Sequence, residues 1–524
     1  MKTTPLGPFL GINNRKLSDA LHVDKTGDYL AAADNVDVDD VGHLRRRVGL
    51  QLVQAMANAH SLYMHTTGNG YLVRGACLYA ITLPSYTETL LKVLTSDARM
   101  SYQHYGLSDH FFSNGTDSGR VTGGVVYPMG MPTLDSPALA VIGGSLLKGW
   151  YQVGLSYTNS TTGEESSVGP SSNVELTATG GLRVTLPGTS PGATHVNIYL
   201  SASNGTVPCL HSTVTVATAT HDLTTLATGR PSNGLFEAPL PAGQLFSHNG
   251  RLCSYSGNTL YVGSPYRPGY YQPAGGYIPF PDTISVAVSN TSGVFVAAKK
   301  THYIPGDLND VKDQIVDVLP YGAVPGTAFV APNKPQWGWF SARGIVLVDT
   351  SPEPKVVMAD VVDLTAPTVG VSAVLEQGGF RRVASCGWTQ NLTNGAATTY
   401  SGWDFTSFSY IYGTKADGIY TVGTGTAEAV VNLGKQSFGS EQLKHVPAVY
   451  LGASGSLLNL RIKTPAADYT YPARATAADL KQQRVDPGKG LRSNWFELIL
   501  SNTAGADFKL ATVSFAPAAT SRRI

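Results

Sequence analysis

The chain reads as an all-β protein: a divergent β-propeller, a β-sandwich inserted into it, and a β-rich platform domain at the C-terminal end. Three observations predict this. Short apolar–polar alternations punctuated by Gly, Asn and Ser recur along the whole sequence, and period-two alternation is the mark of half-buried antiparallel strands. Glycine (57) and proline (31) supply 88 of 524 residues, above the usual share of about 12%, so the chain turns often. Charged residues make up 14%, against about 25% in ordinary globular chains. That excludes coiled coils, long solvated helices and charge-driven disorder, all of which need many Glu, Lys and Arg.

Residues 1–50 read as an extended N-terminal arm. Pro5, Gly7 and Pro8 deny it a helix start, and an acidic run (Asp34, Asp37, Asp39, Asp40) precedes VGHLRRRVGL. As a strand, this segment places Arg45 and Arg47 on one face and Arg46 on the other. Pairing with the nearby aspartates is the plain expectation; a clasp onto another subunit or a phosphate is the sharper one. Residues 51–136 hold the first blades, with HSLYMHTTGNGYLVRGACLYAITL (60–83) as a clear hairpin series. Blades resume over 236–425, where similar textures begin at 248, 293 and 342, steps of 45 and 49 residues. Spacing of about 40 to 50 residues suits four-stranded propeller blades. The blade number stays open.

Between these stretches, 137–235 differs. Strand-like runs WYQVGLSYT, NVELTA, LRVTLP and HVNIYLSA recur over about a hundred residues, the cadence of a sandwich. Its order of features, an aromatic strand, a Gly-Glu-Glu-Ser turn, Leu-Pro and an Asn-Ile-Tyr strand, resembles a fibronectin type III module. Residues 426–524 return to strands (VPAVYLGASGSLLNLRIKT, NWFELILSN, ADFKLATVSFAP), and ATAADLKQQ (475–483) predicts a helix of about two turns.

The net charge of +1 excludes a protein that coats nucleic acid, since such proteins neutralise many phosphates and are basic overall. Cys77, Cys209, Cys253 and Cys386 lie far apart, so no zinc cluster or disulfide framework is expected. The opening MKTTPLGPFLGINNR predicts no secretory signal, and no run approaches the length of a membrane helix. The chain is therefore expected to be soluble and cytoplasmic when made, with no membrane insertion.

Catalytic patterns are weak. Gly188-Thr189-Ser190-Pro191-Gly192 matches GxSxG, but the residue after the serine must donate an N–H to the oxyanion, and Pro191 has none. GTGTAE (423–428) lacks a following helix, and neither a P-loop nor an HExxH zinc motif occurs. His60 and His65 fall on opposite faces of one strand. Asp404, Asp417, Glu428 and Glu441 are the carboxylates a glycan hydrolase could use. No enzyme activity, metal or cofactor is predicted. Two aromatic patches, PYRPGYYQPAGGYIPFP (265–281) and KPQWGWF (334–340), contain Tyr270, Tyr271, Tyr277, Trp337 and Trp339. Aromatics with a polar tip are enriched at protein interfaces. With Arg45, Arg46 and Arg47 they form the predicted subunit-contact set.

Three passages carry a family resemblance: NVDVDDVGHLRRRVGL, then LFSHNGRLCSYSGNTLYVGSPYRPGYYQP, and the closing KADGIYTVG, GKGLRSNWFELILSNTAGADFKLATVSF and SRRI. They resemble structural tail proteins of tailed bacteriophages, and most nearly the nozzle family of short-tailed phages, also called tail tubular protein B or packaged-DNA stabilisation protein. The resemblance implies a virion protein without enzymatic activity, assembled in the bacterial cytoplasm and residing in the tail. It implies a homohexameric ring that retains the genome and conducts it during ejection. The implied partners are a tail adaptor or connector, fibres or spikes, and double-stranded DNA in passage. The C-terminal part is also similar to tail-tip proteins of long-tailed phages, which implies the alternative of a receptor- or glycan-binding tip or baseplate protein.

Overall fold

Glycine-punctuated alternation produces hairpins, and hairpins in series produce meanders whose faces must be covered. The computed structural model describes residues 5–22, 26–106, 108–308, 314–332, 334–455, 458–473, 477–488 and 490–519. These residues form strands joined by turns and loops, with a 3-10 turn at Val357–Asp360 among them.

Among the described residues seven meander sheets follow one another: blades at 59–93, 101–127, 244–279, 286–319, 329–348 and 372–399, and a seventh at 407–422. The seventh is completed by strand Leu50–Ala55, which pairs antiparallel with Gly418–Val422. The start of the propeller thus closes onto its end, so the ring is shut by backbone hydrogen bonds. Each junction between blades holds an apolar cluster. Leu72 and Ile81 meet Ile419 where blade seven meets blade one, and Val73, Phe112 and Val121 join blades one and two. Phe111 and Leu245 join two and three; Leu260 and Val294, three and four. Phe295 and Trp339 join four and five, Phe340 and Val383 five and six, and Leu375 and Val422 six and seven. Near-continuous apolar runs such as GVFVA in blade four follow from burial on both faces.

The ring's axis is crossed by a side chain. Arg99, between blades one and two, donates from Nη1 to the carbonyl of Gly370 (2.8 Å) and from Nη2 to that of Gly326 (3.1 Å). These carbonyls belong to the connections flanking blade five, on the opposite side of the ring. Gly326 has φ +80°, and a Cβ there would lie 1.8 Å from Arg99 Nη1. Only glycine permits both the backbone conformation and the approach.

Between blades two and three, a three-stranded sheet (Leu139–Leu146, Gly180–Thr185, Thr220–Leu223) faces a four-stranded one (Ser172–Leu176, Gly149–Thr158, His195–Leu200, Cys209–Thr215). Leu146, Tyr151, Val153, Leu182 and Ile198 fill the space between them. The Gly-Glu-Glu-Ser turn ties this sandwich to the propeller. Glu164 accepts from Arg120 Nη2 at 2.5 Å and from the Tyr270 hydroxyl at 2.8 Å. Arg267 donates to the Glu165 carbonyl at 2.7 Å.

Two expectations need correction. Residues 1–50, expected as an extended arm, are in their described part strands built into the body of the protein. Strand Ala32–Asp34 pairs with Val430–Gln436, and Leu44–Arg46 pairs with Phe508–Phe515. The N-terminal segment completes the C-terminal sandwich, because its alternating apolar residues (Leu30, Ala33, Val36, Val38, Leu44) share one core with Val449, Leu460, Leu498 and Val513. The predicted helix over 475–483 is the second. Residues 475 and 476 lie outside the described residues, and Ala477–Val485 is a strand paired with Val449–Gly455. Two turns of helix are marginal alone, and the ladder satisfies the same backbone groups while burying Gln483 and Val485.

Gly326→Ala is expected to cost about 2–4 kcal/mol through strain and collision. The double variant with Arg99→Ala should lose less than the sum of the two single changes, as read from denaturant unfolding in a double-mutant cycle.

Candidate functional site

Three neighbouring strands bring charge together by register. Asp37 lies opposite Arg45, and Arg45 opposite Lys509; residues directly opposite one another share a face. Blade six approaches from the propeller and adds Arg382. The result is a cavity of about 420 Å³ at the junction of propeller and terminal sandwich, lined by Asp37, Arg45, Arg46, Arg47, Arg382, Asp507 and Lys509 among others. The volume lies within the range of about 300–1,000 Å³ common for small-ligand sites.

The floor of the cavity is locked. Arg382 Nε stands 3.0 Å from Asp37 Oδ1 and donates to the Tyr400 hydroxyl at 2.9 Å, which in turn donates to Asp37. All three are at most 3% exposed. Arg47 lies over the Tyr400 ring, 5.2 Å from its centroid, and donates to Asn35 Oδ1 at 2.6 Å and to the carbonyls of Val48 and Ser401. Its guanidinium is therefore committed. Burial pulls it below its ordinary value, against the charges of Asp37 and Asp34.

The rim is less committed. Arg45 and Lys509 converge on one carboxylate oxygen, Asp39 Oδ2, at 3.1 and 3.5 Å. Burial works to raise the Asp39 carboxyl, but the His43 N–H and the charges of His43, Arg45 and Lys509 outweigh it and hold the group below its usual range. Arg46 faces the exposed Asp507 at 3.4 Å, and its buried Nε has no hydrogen-bond partner.

The predicted contact set divides. Arg45, Arg46 and Arg47 do come together, and the pairing of Arg45 with an aspartate from the preceding acidic run is present. The aromatic members lie elsewhere. Trp339 is fully buried and Tyr270 is 2% exposed, so neither is available to a neighbour. Trp339 packs on Phe295 between blades, and the Tyr270 hydroxyl is enclosed by Glu164 and the Met131 N–H. Their apolar area is spent inside the chain, which a sequence pattern of aromatics cannot distinguish from a surface cluster. Tyr271 and Trp337 are half-buried and Tyr277 is exposed. Arg382 and Lys509, by contrast, were missed: hundreds of residues separate them from the arginine run, and no local spacing signals their arrival.

The other candidates lie apart. Gly188–Gly192 is a loop before a strand, and GTGTAE likewise leads into a strand. Asp404 pairs with Lys415 at 2.6 Å, Asp417 accepts from the Tyr420 hydroxyl at 2.7 Å, and Glu428 and Glu441 are exposed. Among the described residues no group of three or more His, Cys, Asp or Glu is placed to hold a metal ion. His60 bonds Ser61 and Asp97, whereas His65 packs on His110, which also touches His104.

No protein-family model matches the chain, and no curated protein matches it. Among solved structures, BamB from Moraxella catarrhalis is similar at 13% identity and a TM-score of 0.22, over 63% of this chain and 96% of that one. An exo-β-1,3-galactanase from Phanerochaete chrysosporium is similar at 11% identity and a TM-score of 0.19, over 88% and 100% of the two chains. Likeness this distant assigns no activity.

Two outcomes follow. Arg382→Met strands the Asp37 carboxylate in the interior and should cost about 3–5 kcal/mol, while Arg46→Gln at the rim should cost under about 1 kcal/mol; urea titration of both variants checks the contrast. Burial, with the charges of His65 and His104, pushes the His110 imidazole down from 6.5 to about 4. The unfolded chain then binds the proton more readily, so stability is fully present above pH 6.5 and declines as pH falls from 6.5 toward 4. His110→Gln should flatten that decline in unfolding midpoints measured across the interval.

Proposed function

We propose that the chain is a structural subunit of a bacteriophage tail, one copy of a homohexameric nozzle or tube ring that retains the genome, conducts it on ejection and supports fibres. The observation that supports the reading best is the fusion of the propeller to the terminal sandwich. Blade six continues through Ala397–Thr399 into Ala32–Asp34 and onward to Asp468–Pro472 as one sheet. A β-body joined this way resists bending, which suits a wall under pressure.

On this reading DNA does not pass through the propeller, whose axis Arg99 crosses. It runs through a lumen made between copies. A net charge of +1 suits a conduit, because a strongly basic wall would hold DNA through many phosphates. A closed ring needs two unlike faces on each subunit. With the N-terminal segment folded into its own chain, those faces fall to the inserted sandwich and the outer blade strands. An adaptor and fibres would be the partners, and the tail of the virion the location.

The second reading, a receptor- or glycan-binding tip, relied on the aromatic patches. Its support weakens with Tyr270 and Trp339 enclosed, although Tyr266 is 94% exposed and Tyr277 lies on an outer strand.

Mass photometry and negative-stain imaging of the purified chain, alone and with a tail connector, test the proposal. Particles several times 55.3 kDa with six-fold projections are expected. A chain that stays monomeric in both conditions overturns the ring, and a monomer that retains host polysaccharide favours the tip.

A further inference from the structure

We propose that the cavity between strand Leu44–Arg46, blade six and strand Phe508–Phe515 binds a phosphate-type oxyanion through Arg45, Arg46 and Lys509. The inference does not depend on ring formation or on a place in a tail.

Charge is the first argument. The lining residues include five cations (Arg45, Arg46, Arg47, Arg382, Lys509) and two carboxylates (Asp37, Asp507). Asp39, just behind, is contacted by both Arg45 and Lys509. Counting it, the site keeps an excess of two positive charges. A phosphate monoester carries about −1.5 to −2 at neutral pH, so one such group neutralises the cluster.

Geometry is the second. Arg47 and Arg382 already donate to protein acceptors and make a rigid positive floor. Arg45 and Lys509 share a single carboxylate oxygen and retain donors beyond it; a guanidinium has five and an ammonium three. Arg46 Nε is buried and makes no hydrogen bond, with Asp507 Oδ1 facing it only at 3.4 Å, and a buried donor so poorly met on a charged group is costly. An anion at the rim would supply what is missing. Asp507 is the competitor an anion must displace: its side chain is 79% exposed and 3.4 Å from Arg46 Nε, and its Oδ1 also accepts from the Phe508 N–H at 3.1 Å. Guanidinium forks match tetrahedral oxyanions in two contacts at once, which favours phosphate over a single halide ion. Asp37 cannot substitute, since Arg382 and Tyr400 already hold it.

A purely structural role for the cluster predicts something different. Cations that only joined the two domains would be matched by carboxylates one for one, as Arg183 is by Asp222 through two bonds of 2.7 and 2.8 Å.

Isothermal titration of the full chain with inorganic phosphate, in a buffer low in chloride, tests the proposal. Saturable binding at one site is expected. The double variant Arg46→Gln, Lys509→Gln should bind at least about tenfold more weakly, a loss of about 1.4 kcal/mol. Arg183→Gln, on an exposed pair in the inserted sandwich, should bind like the unaltered chain. Both variants change partly exposed side chains, and far-ultraviolet dichroism with a thermal melt confirms that they fold. No phosphate binding by the unaltered chain, or equal binding by the double variant, overturns the site. A short DNA duplex separates the sources of the phosphoryl group. Competition with phosphate for the same arginines supports a nucleic-acid backbone as the natural occupant, and phosphate binding unaffected by duplex supports a small phosphorylated molecule.

Discussion

Everything in this molecule depends on a continuous sheet that does not stop at a domain boundary. The outer strand of blade six, Ala397–Thr399, pairs in parallel with Ala32–Asp34 and with strand Phe9–Ile12. The same ladder then runs on through Val430–Gln436 and Phe496–Asn502. The joint itself is one bridge to each strand, Asp34 with Thr399 and Gly11 with Ala397, and hinging there would unmake backbone bonds whose loss is expensive when buried. Asp37, Arg382 and Tyr400 sit at this joint and add a second constraint. A charge pair that is almost wholly buried must keep its partner, so the two domains cannot separate by even a small distance without stranding an ion.

Closure of the propeller is the other half of the design. Strand Leu50–Ala55 immediately follows the segment that completes the terminal sandwich, and it pairs with the last strand of blade seven. One stretch of about fifty residues therefore closes both units. Ring closure ties the last blade to the start of the chain while each blade keeps an outer edge strand, and Arg99 reaches across the axis that closure leaves. Its guanidinium meets two backbone carbonyls, so the cation is accommodated by dipoles.

The inserted sandwich obeys the same logic on a smaller scale. Glu164 and Glu165 stand side by side in a turn yet serve different neighbours. Glu164 reaches Arg120 and Tyr270 in the propeller, whereas Glu165 gathers Ser156, Asn197, Tyr199 and Arg230 within the sandwich. The first anchors the module and the second stiffens its base, so the insertion stands at a defined angle on the ring.

What the residues determined on their own is the β character and its rhythm. Short apolar runs such as GVFVA, too brief for a helix and rich in β-branched and aromatic residues, favour strands, and the Gly and Asn between such runs favour hairpin turns. The sandwich within 137–235 and the blade spacing are local in the same sense. The arginine run was also legible as a strand beside aspartates. Tertiary structure alone decided the rest. Seven blades, and not another number, depend on how closely apolar clusters pack between meanders, a sum over distant contacts. Residues 1–50 looked like an arm because their partners lie some 400 residues away; a strand without its neighbour in view resembles any extended segment. Residues 475–483 looked helical for the same reason, since two turns of propensity weigh less than the ladder that pairs Ala477–Val485. Trp339 and Tyr270 could have faced a partner or the core, because side-chain chemistry specifies area to be buried and leaves open which surface buries it. The convergence of Arg382 and Lys509 on Arg45 follows from sheet register, and register between strands far apart in sequence is set by packing that no local pattern encodes.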